Sequence, residues 1–242
     1  MRYAIFSDIH ANLQAYEAFL EDAKKEGIEE YFCAGDIVGY GADPHECIEI
    51  TKRLGLRLVC GNHDWATAGK FDVENLNQDA RDAVVWTRDV LDDTDKDYLG
   101  SLALLYQNSE FTIVHSSLDC LQDFPYVLNT AQAEKTIHIQ STPLCFAGHS
   151  HVAGVFFEDK NGYIHRTIAS ELSIEKGRRY LINVGSIGQP RDGDWRSSYC
   201  IYDTEKKNIR VKRVEYDVKK ARDKILKTDL PVHLAERILV GR

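Results

Sequence analysis

No stretch of this 242-residue chain strings together enough apolar residues to cross a membrane, and no charged leader precedes the first apolar run. Spanning helices need about 20 consecutive apolar residues, and secretory leaders put a basic stretch ahead of an apolar one. A soluble, cytoplasmic protein is therefore expected. Cys-x-x-Cys spacing is absent among the six cysteines at 33, 47, 60, 120, 145 and 200. Three of them lie in or beside apolar runs of strand length, so reduced core thiols are the plain reading. An excess of positive charge is missing too: 30 Lys and Arg face 38 Asp and Glu, a formal net charge of −8. Nothing global offsets repulsion from a polyanion, so nucleic acid is not expected as an obligatory partner, although a local basic patch stays open. Internal repeats, low-complexity tracts and linkers are also lacking. The length suits one domain, residues 1–242, with ample core.

What is present is a series of short apolar runs, each ending in chemistry-bearing residues. The first is Ile5-Phe6-Ser7-Asp8-Ile9-His10. Such a run reads as a buried parallel strand, placing Asp8 and His10 in the loop at its carboxyl end, where open α/β sheets carry their chemistry. The arrangement recurs four times. Tyr31 to Ala34 leads to Gly35-Asp36, Leu56 to Cys60 to Gly61-Asn62-His63-Asp64, Phe111 to Val114 to His115, and Leu144 to Ala147 to Gly148-His149-Ser150-His151.

The intervening stretches predict the rest of the architecture. A helix is expected from about Asn12 to Lys25, with Leu13, Tyr16, Leu20 and Ala23 on one face. Asp43-Pro44 reads as an N-cap with proline at the first helical position, opening a helix through Leu54. Three strand, loop and helix units in succession mean parallel strands. A polar helical region runs from about Val73 to Val90, Thr94 to Asp97 resembles a capping box, and a helical insertion is expected near 70–105. Ser116 to Asn129 is an irregular stretch with Phe124, Pro125 and Tyr126. Past Leu144 the alternation of five segments predicts mostly antiparallel strands, with hairpin turns at Asp159 to Gly162 and Thr204 to Asn208. Two amphipathic helices, near Val218 to Lys227 and Val232 to Leu239, end the series.

Taken singly, His10 or His115 reads as an ordinary hydrogen-bonded histidine, and Asp36 as a turn residue beside Gly35. Jointly, five blocks of carboxylate, imidazole and amide donors between positions 8 and 151 form a set able to enclose metal. In this order they resemble the calcineurin-like metallophosphoesterase superfamily, whose signature runs Asp-x-His, Gly-Asp, Gly-Asn-His-Asp/Glu, His, Gly-His-x-His. The similarity is to its small prokaryotic phosphodiesterase and diadenosine tetraphosphatase-related branch. The resemblance implies an α/β fold, a four-layer α-β-β-α sandwich of two mixed sheets flanked by helices. It implies two divalent transition metal ions, Mn, Fe, Zn, Co or Ni, with Mn favoured. By the family pattern Asp8, His10 and His151 hold one ion, Asn62, His115 and His149 the other, and Asp36 bridges them through its two oxygens at a separation of roughly 3.5–4 Å. A bridging hydroxide then attacks phosphorus in line. His63 is carried over as general acid for the leaving group, a role its ordinary pKa suits. Asp64 is expected to point elsewhere and cap the following helix. His45, His138, His165 and His233 fall outside the blocks and read as surface or structural residues.

Phosphoprotein phosphatases of the superfamily read Gly-Asp-x-x-Asp-Arg-Gly and Arg-Gly-Asn-His-Glu. Here Gly39 and Tyr40 replace the Asp-Arg and Cys60 the second arginine. That disfavours a phosphoprotein phosphatase and close equivalence to the enterobacterial-type symmetrical diadenosine tetraphosphatase. It also leaves His63 without its orienting carboxylate, a task then falling to a backbone carbonyl or water. Arg191, delivered by a Gly- and Pro-containing loop, has two readings: a phosphate clamp, or a surface partner of Asp192 or Asp194. Tyr40, Tyr126 and Trp195 are able to stack on a nucleobase or pack against the domain, and Asn12 either approaches substrate or starts the first helix.

The reading is thus a phosphodiesterase or phosphatase acting on a small phosphorylated, nucleotide-type substrate. The alternatives are a nuclease, a serine/threonine-phosphatase-like enzyme and a non-catalytic metal-dependent regulator. Oligomeric state stays open.

Overall fold

The computed structural model describes the whole chain, Met1 to Arg242. β1 (Arg2–Phe6) is apolar on both faces because Ala4 and Phe6 pack under helices while Ile5 packs between two sheets. α1 (Leu13–Lys25) follows, started by the Asn12 carboxamide oxygen, which accepts the Ala15 N–H at 3.1 Å. Its buried face is Ala15, Tyr16, Phe19 and Ala23, and Lys24 and Lys25 complement the helix dipole in the last turn. β2 (Glu30–Cys33), α2 (Pro44–Leu54) and the two-residue β3 (Arg57–Leu58) complete the repeating units, and β1, β2 and β3 pair in parallel as expected. Asp43 stands at the N-cap of α2, but its side chain makes no cap; it binds Lys224 at 2.6 Å. The expected strand to Cys60 shortens because past Leu58 the chain peels off toward Ala103, whose carbonyl accepts the Cys60 N–H.

The Gly61-Asn62-His63-Asp64 block opens a short helix, α3 (Asn62–Thr67). The polar region beyond it divides into a 3-10 turn, Val73–Asn75, and α4 (Gln78–Val90), because Asn77 turns to cap α4 by accepting the Ala80 N–H. α5 (Asp93–Ser101) starts two residues before the expected capping box. Asp92 is its cap, accepting the Asp95 N–H, while the Asp95 carboxylate is taken by Lys52 and His45.

The rest of the chain gives β4 (Leu105–Gln107), β5 (Phe111–Val114), α6 (Thr130–Ile139), β6 (Leu144–Ala147), β7 (Gly154–Glu158), β8 (Ile164–Thr167), β9 (Glu171–Ser173), β10 (Tyr180–Asn183), β11 (Ser197–Asp203), β12 (Asn208–Val214), α7 (Val218–Ile225) and α8 (Val232–Arg237). Sequence periodicity missed β4, α6 and β9. The buried face of α6 is only Ala133, Thr136 and Ile137, too weakly apolar to stand out, and the two strands are three residues long.

The strands form two six-stranded sheets, in the orders β3-β2-β1-β11-β12-β9 and β4-β5-β6-β10-β7-β8. Both are mixed: β5, β6 and β10 run parallel, whereas β7–β8 and β11–β12 are the two expected antiparallel hairpins. The sheets pack face to face over Ile5, Phe32, Phe111, Phe146, Ile182 and Tyr202, with the Phe111 ring edge-on to Phe32 at 5.0 Å and to Phe146 at 5.7 Å. Helices flank the pair, giving the four-layer α/β sandwich. No helix is long and apolar enough to cross a membrane. Parallel β1 and β2 in one sheet and β5, β6 and β10 in the other aim their carboxyl-end loops at one point, and that convergence builds the site.

Candidate metal centre

The loops that leave these strands turn sharply. Asp8, His10, Asp36, Tyr40, His149 and His151 all have φ between 48° and 64°, the left-handed region that L side chains rarely adopt. Each such residue costs on the order of 1–3 kcal/mol, and strain of this kind gathers at functional sites. The surrounding bonds hold it in place. The Asp8 N–H donates to the Gly35 carbonyl, the His10 N–H to the Asp36 carbonyl, and Ser186 Oγ and the Gly188 N–H both donate to the Asp8 carbonyl.

Three imidazoles have their tautomers fixed by backbone carbonyls. His10 Nδ1 donates to Val38 O at 3.0 Å, His115 Nδ1 to Ala34 O at 2.8 Å, and His151 Nδ1 to Gln189 O at 2.6 Å. Each Nε2 is therefore the ring atom left to bind metal, and these nitrogens face one another and carboxylates. His10 Nε2 lies 3.1 Å from His151 Nε2, and Asp8 Oδ1 lies 3.3 Å from the latter. On the other side His115 Nε2 lies 3.1 Å from His149 Nδ1 and 3.2 Å from Asn62 Oδ1. Asp36 Oδ2 stands between the groups, 3.3 Å from His115 Nε2 and 3.7 Å from His10 Nε2. Two carboxylates, an amide oxygen and four imidazoles crowded together call for positive charge among them, supplied by imidazole protons in the free protein and by divalent metal when bound, and this donor set fits such an ion. One correction to the sequence reading concerns Asp36. A single oxygen faces both groups, since Oδ1 accepts the His63 N–H at 2.9 Å.

All these groups are buried, and their charges offset one another. Burial alone would raise Asp8 and Asp36, but the imidazoles of His151 and His115 respectively hold both carboxyls below the usual range. Burial works against protonating His115, yet Asp36 carries it up to about 9. Burial and Arg191 push His151 down to about 4. For His63, burial wins outright and pushes it down to about 3. The expectation of an ordinary histidine pKa is therefore not met in the free protein. Nor does a carbonyl orient this ring, because His63 Nδ1 is buried with no hydrogen-bond partner.

Packing does the orienting instead. The His63 ring lies 4.4 Å from that of Tyr40 and 4.9 Å from that of His10. Its Nδ1 edge occupies the space beside Gly39, where an added Cβ would fall 2.4 Å away, at a φ of +93°. An aspartate at 39 has no room unless His63 moves. Gly39→Ala is expected to destabilise the fold by about 1–3 kcal/mol and to cut turnover more than tenfold by displacing the ring; wild-type turnover in the variant would show that the ring position is immaterial.

Asp64 turns away from the ligand cluster, as the sequence suggested, and caps more than its helix. Its two oxygens accept the N–H groups of Gly61, Asp36, Ile37 and Val38, at 3.0, 2.8, 2.9 and 3.3 Å. Burial and the neighbouring Asp36 push it up to about 7, while the Gly61 and Val38 N–H groups pull the other way.

A cleft of about 420 Å³ opens over this cluster, lined among others by His63, Tyr40, Phe124, Tyr126, Leu76 and Arg191. The surface reading of Arg191 does not hold: Asp192 binds Arg213 and Asp194 binds Arg196, leaving Arg191 in the cleft, anchored by Gln189 Oε1 at 2.8 Å and 5.4 Å from the Tyr40 ring centre. Tyr126 stacks on His149 at 4.1 Å and stays 44% exposed. For Asn12 and Trp195 the second of the two readings holds. Both ends of the Asn12 carboxamide are engaged, the oxygen by Ala15 N–H and the nitrogen by Gly188 O at 2.8 Å, so nothing remains for substrate. Trp195 packs on Tyr216 at the core instead of facing the cleft. Of the outlying histidines, His45 and His233 bind Asp95 and Asp79.

Residues 1–207 match the model of the calcineurin-like phosphoesterase superfamily domain. The chain belongs to that family. It is a phosphoric ester hydrolase, and its clustered aspartates and histidines are able to bind metal. The calcineurin-like phosphoesterase is 38% identical, over 99% of its length and 98% of the relative's, to an uncharacterised protein of Methanocaldococcus jannaschii. Among solved structures it is similar to a metallophosphoesterase from Sphaerobacter thermophilus, with a TM-score of 0.88 and 38% identity over 100% of this chain and 99% of that one. A hypothetical protein from Pyrococcus horikoshii shares the fold, with a TM-score of 0.81 and 22% identity over 100% and 98% of the two chains.

Proposed function

We propose that this single-domain phosphoesterase hydrolyses small phosphodiester or nucleotide-type substrates with two divalent transition metal ions. Asp8, His10 and His151 would hold one ion, Asn62, His115 and His149 the other, with Asp36 between them. The observation that carries the reading is the convergence of the Nε2 atoms of His10, His115 and His151, each with its Nδ1 turned to a backbone carbonyl, on two carboxylate oxygens. When bound, such ions supply Lewis acidity toward phosphoryl oxygens and lower the pKa of water.

The chain's own residues do the remaining work. The cleft's size suits a small ligand. Arg191 lines the cleft beside His151, whose main-chain oxygen accepts its N–H at 3.1 Å, and its guanidinium, held by Gln189 and Tyr40, would bind the phosphoryl group. Tyr126, exposed beside His149, offers a stacking face to a base. His63 is neutral in the free protein, and an anionic phosphoryl group beside it favours the imidazolium. Its proton then goes to the departing oxygen.

The Mn²⁺-loaded protein is expected to hydrolyse bis-p-nitrophenyl phosphate; no turnover with Mn, Fe, Zn, Co or Ni would overturn the proposal. The His63→Ala variant should lose about 10²–10⁴-fold on diesters with alkoxide leaving groups and far less on nitrophenyl esters, which depart unprotonated. Equal losses on both would remove the acid role.

A further inference from the structure

The stretch between β5 and α6, Ser116 to Asn129, holds no helix or strand, yet it is fastened at both ends. The Ser117 and Thr136 hydroxyls hydrogen-bond at 2.7 Å, the Leu118 N–H donates to Thr136 Oγ1 at 3.2 Å, and the Leu128 N–H donates to Gln132 Oε1 at 2.8 Å. Ser116 Oγ closes this strap on itself by donating to the Pro125 carbonyl. The fastening sets two aromatic rings on the same half of the ligand cluster. Phe124 lies edge-on to the His115 ring at 5.7 Å, and Tyr126 stacks on His149 at 4.1 Å with the ring planes 25° apart.

His149 is the one imidazole of the four whose outer nitrogen takes no carbonyl. His10, His115 and His151 each turn Nδ1 to a main-chain oxygen at 2.6–3.0 Å. His149 instead turns Nδ1 inward, 3.1 Å from His115 Nε2, and its Nε2 is buried without a hydrogen-bond partner. Metal-binding imidazoles are ordinarily held by a bond from the far nitrogen, which fixes both tautomer and ring angle. That hold is missing here. The main chain around His149 is fixed, since its N–H donates to Asp8 Oδ2 at 3.0 Å and the Gly148 N–H to the His115 carbonyl at 2.9 Å. Those bonds leave the ring free to turn about its own side-chain bonds, and the Tyr126 face is what lies against it. An imidazole that has given its lone pair to a divalent ion is electron-poor, so stacking on the electron-rich tyrosine face is favourable.

We propose that Tyr126 is a positioning residue for His149: its ring does for this imidazole what a carbonyl does for the other three, and so sets the affinity of the ion that Asn62, His115 and His149 hold. This rests on the two-ion reading above and adds to it a determinant outside the ligand set. The strap from Ser116 to Asn129 is then part of the metal centre as well as a wall of the cleft.

Calorimetric titration of metal-free protein with Mn²⁺ tests this in the absence of substrate, when no base is present to stack on the ring. The wild type should take up two ions. Tyr126→Ala should weaken one of them by about 10–100-fold, the scale for losing an outer support of a metal ligand, and leave the other unchanged. The unchanged ion reports that the fold is intact. Tyr126→Phe should match the wild type, since it keeps the ring. In His149→Ala, adding Tyr126→Ala should bring no further loss, as expected when the tyrosine acts through that imidazole. Wild-type affinity for both ions in Tyr126→Ala, an equal loss of both, or a further loss on top of His149→Ala overturns the proposal. No uptake by the wild type overturns the two-ion reading along with it, whereas two ions in the wild type and no change in the alanine variant overturn this step alone.

Discussion

Asp36→Asn is expected to lower turnover of bis-p-nitrophenyl phosphate by about a thousandfold or more, a scale set by the several kcal/mol that metal-ion charge stabilisation contributes. The substitution changes little in shape. The asparagine oxygen is able to accept the His63 N–H that Asp36 Oδ1 accepts now, so α3 keeps its anchor. What disappears is the negative charge on the one oxygen that faces both His10 and His115. Without it, four imidazoles and an amide oxygen converge with a single carboxylate, Asp8, to balance two cations. Metal content should fall with activity, and elemental analysis of the purified variant alongside its turnover checks both. Full activity with full metal would sink the assignment of Asp36 as the shared ligand.

The second large effect is on stability. Asp64→Ala leaves four backbone N–H groups, those of Gly61, Asp36, Ile37 and Val38, buried without the acceptor they share. Each orphaned donor costs roughly 1–3 kcal/mol where water cannot reach it, and partial relaxation brings the total to about 3–5 kcal/mol. The urea midpoint should drop accordingly, measured on metal-free protein so that metal binding does not mask the loss. A midpoint within 1 kcal/mol of wild type would mean that the Gly35 to Val38 loop is held some other way. Because that loop carries Asp36 and positions Gly39 and Tyr40, the variant should also bind metal weakly.

The two predictions draw on different layers of information. Asp36 was legible in the sequence, since Gly-Asp after a strand-length apolar run belongs to an ordered set of five blocks. The strand ends were legible for the same reason: a strand buried on both faces is apolar throughout, and its polar terminus marks where it leaves the core. Asp64 was legible only as a helix cap. That it also accepts N–H groups from a loop about 27 residues away depends on β1, β2 and α3 meeting in space.

The sequence by itself determined which residues carry chemistry, their order at the strand ends, and the alternating helices and strands that make an α/β sandwich. These are local properties, written in periodicity and in residue type. Tertiary structure alone decided which partner each side chain takes. It freed Arg191 by giving Asp192 to Arg213 and Asp194 to Arg196, it consumed Asn12 in capping α1 and holding Gly188, and it placed the His63 ring against Gly39. Partners far apart in the chain are chosen by packing and by competition for hydrogen bonds, and no local pattern encodes that outcome.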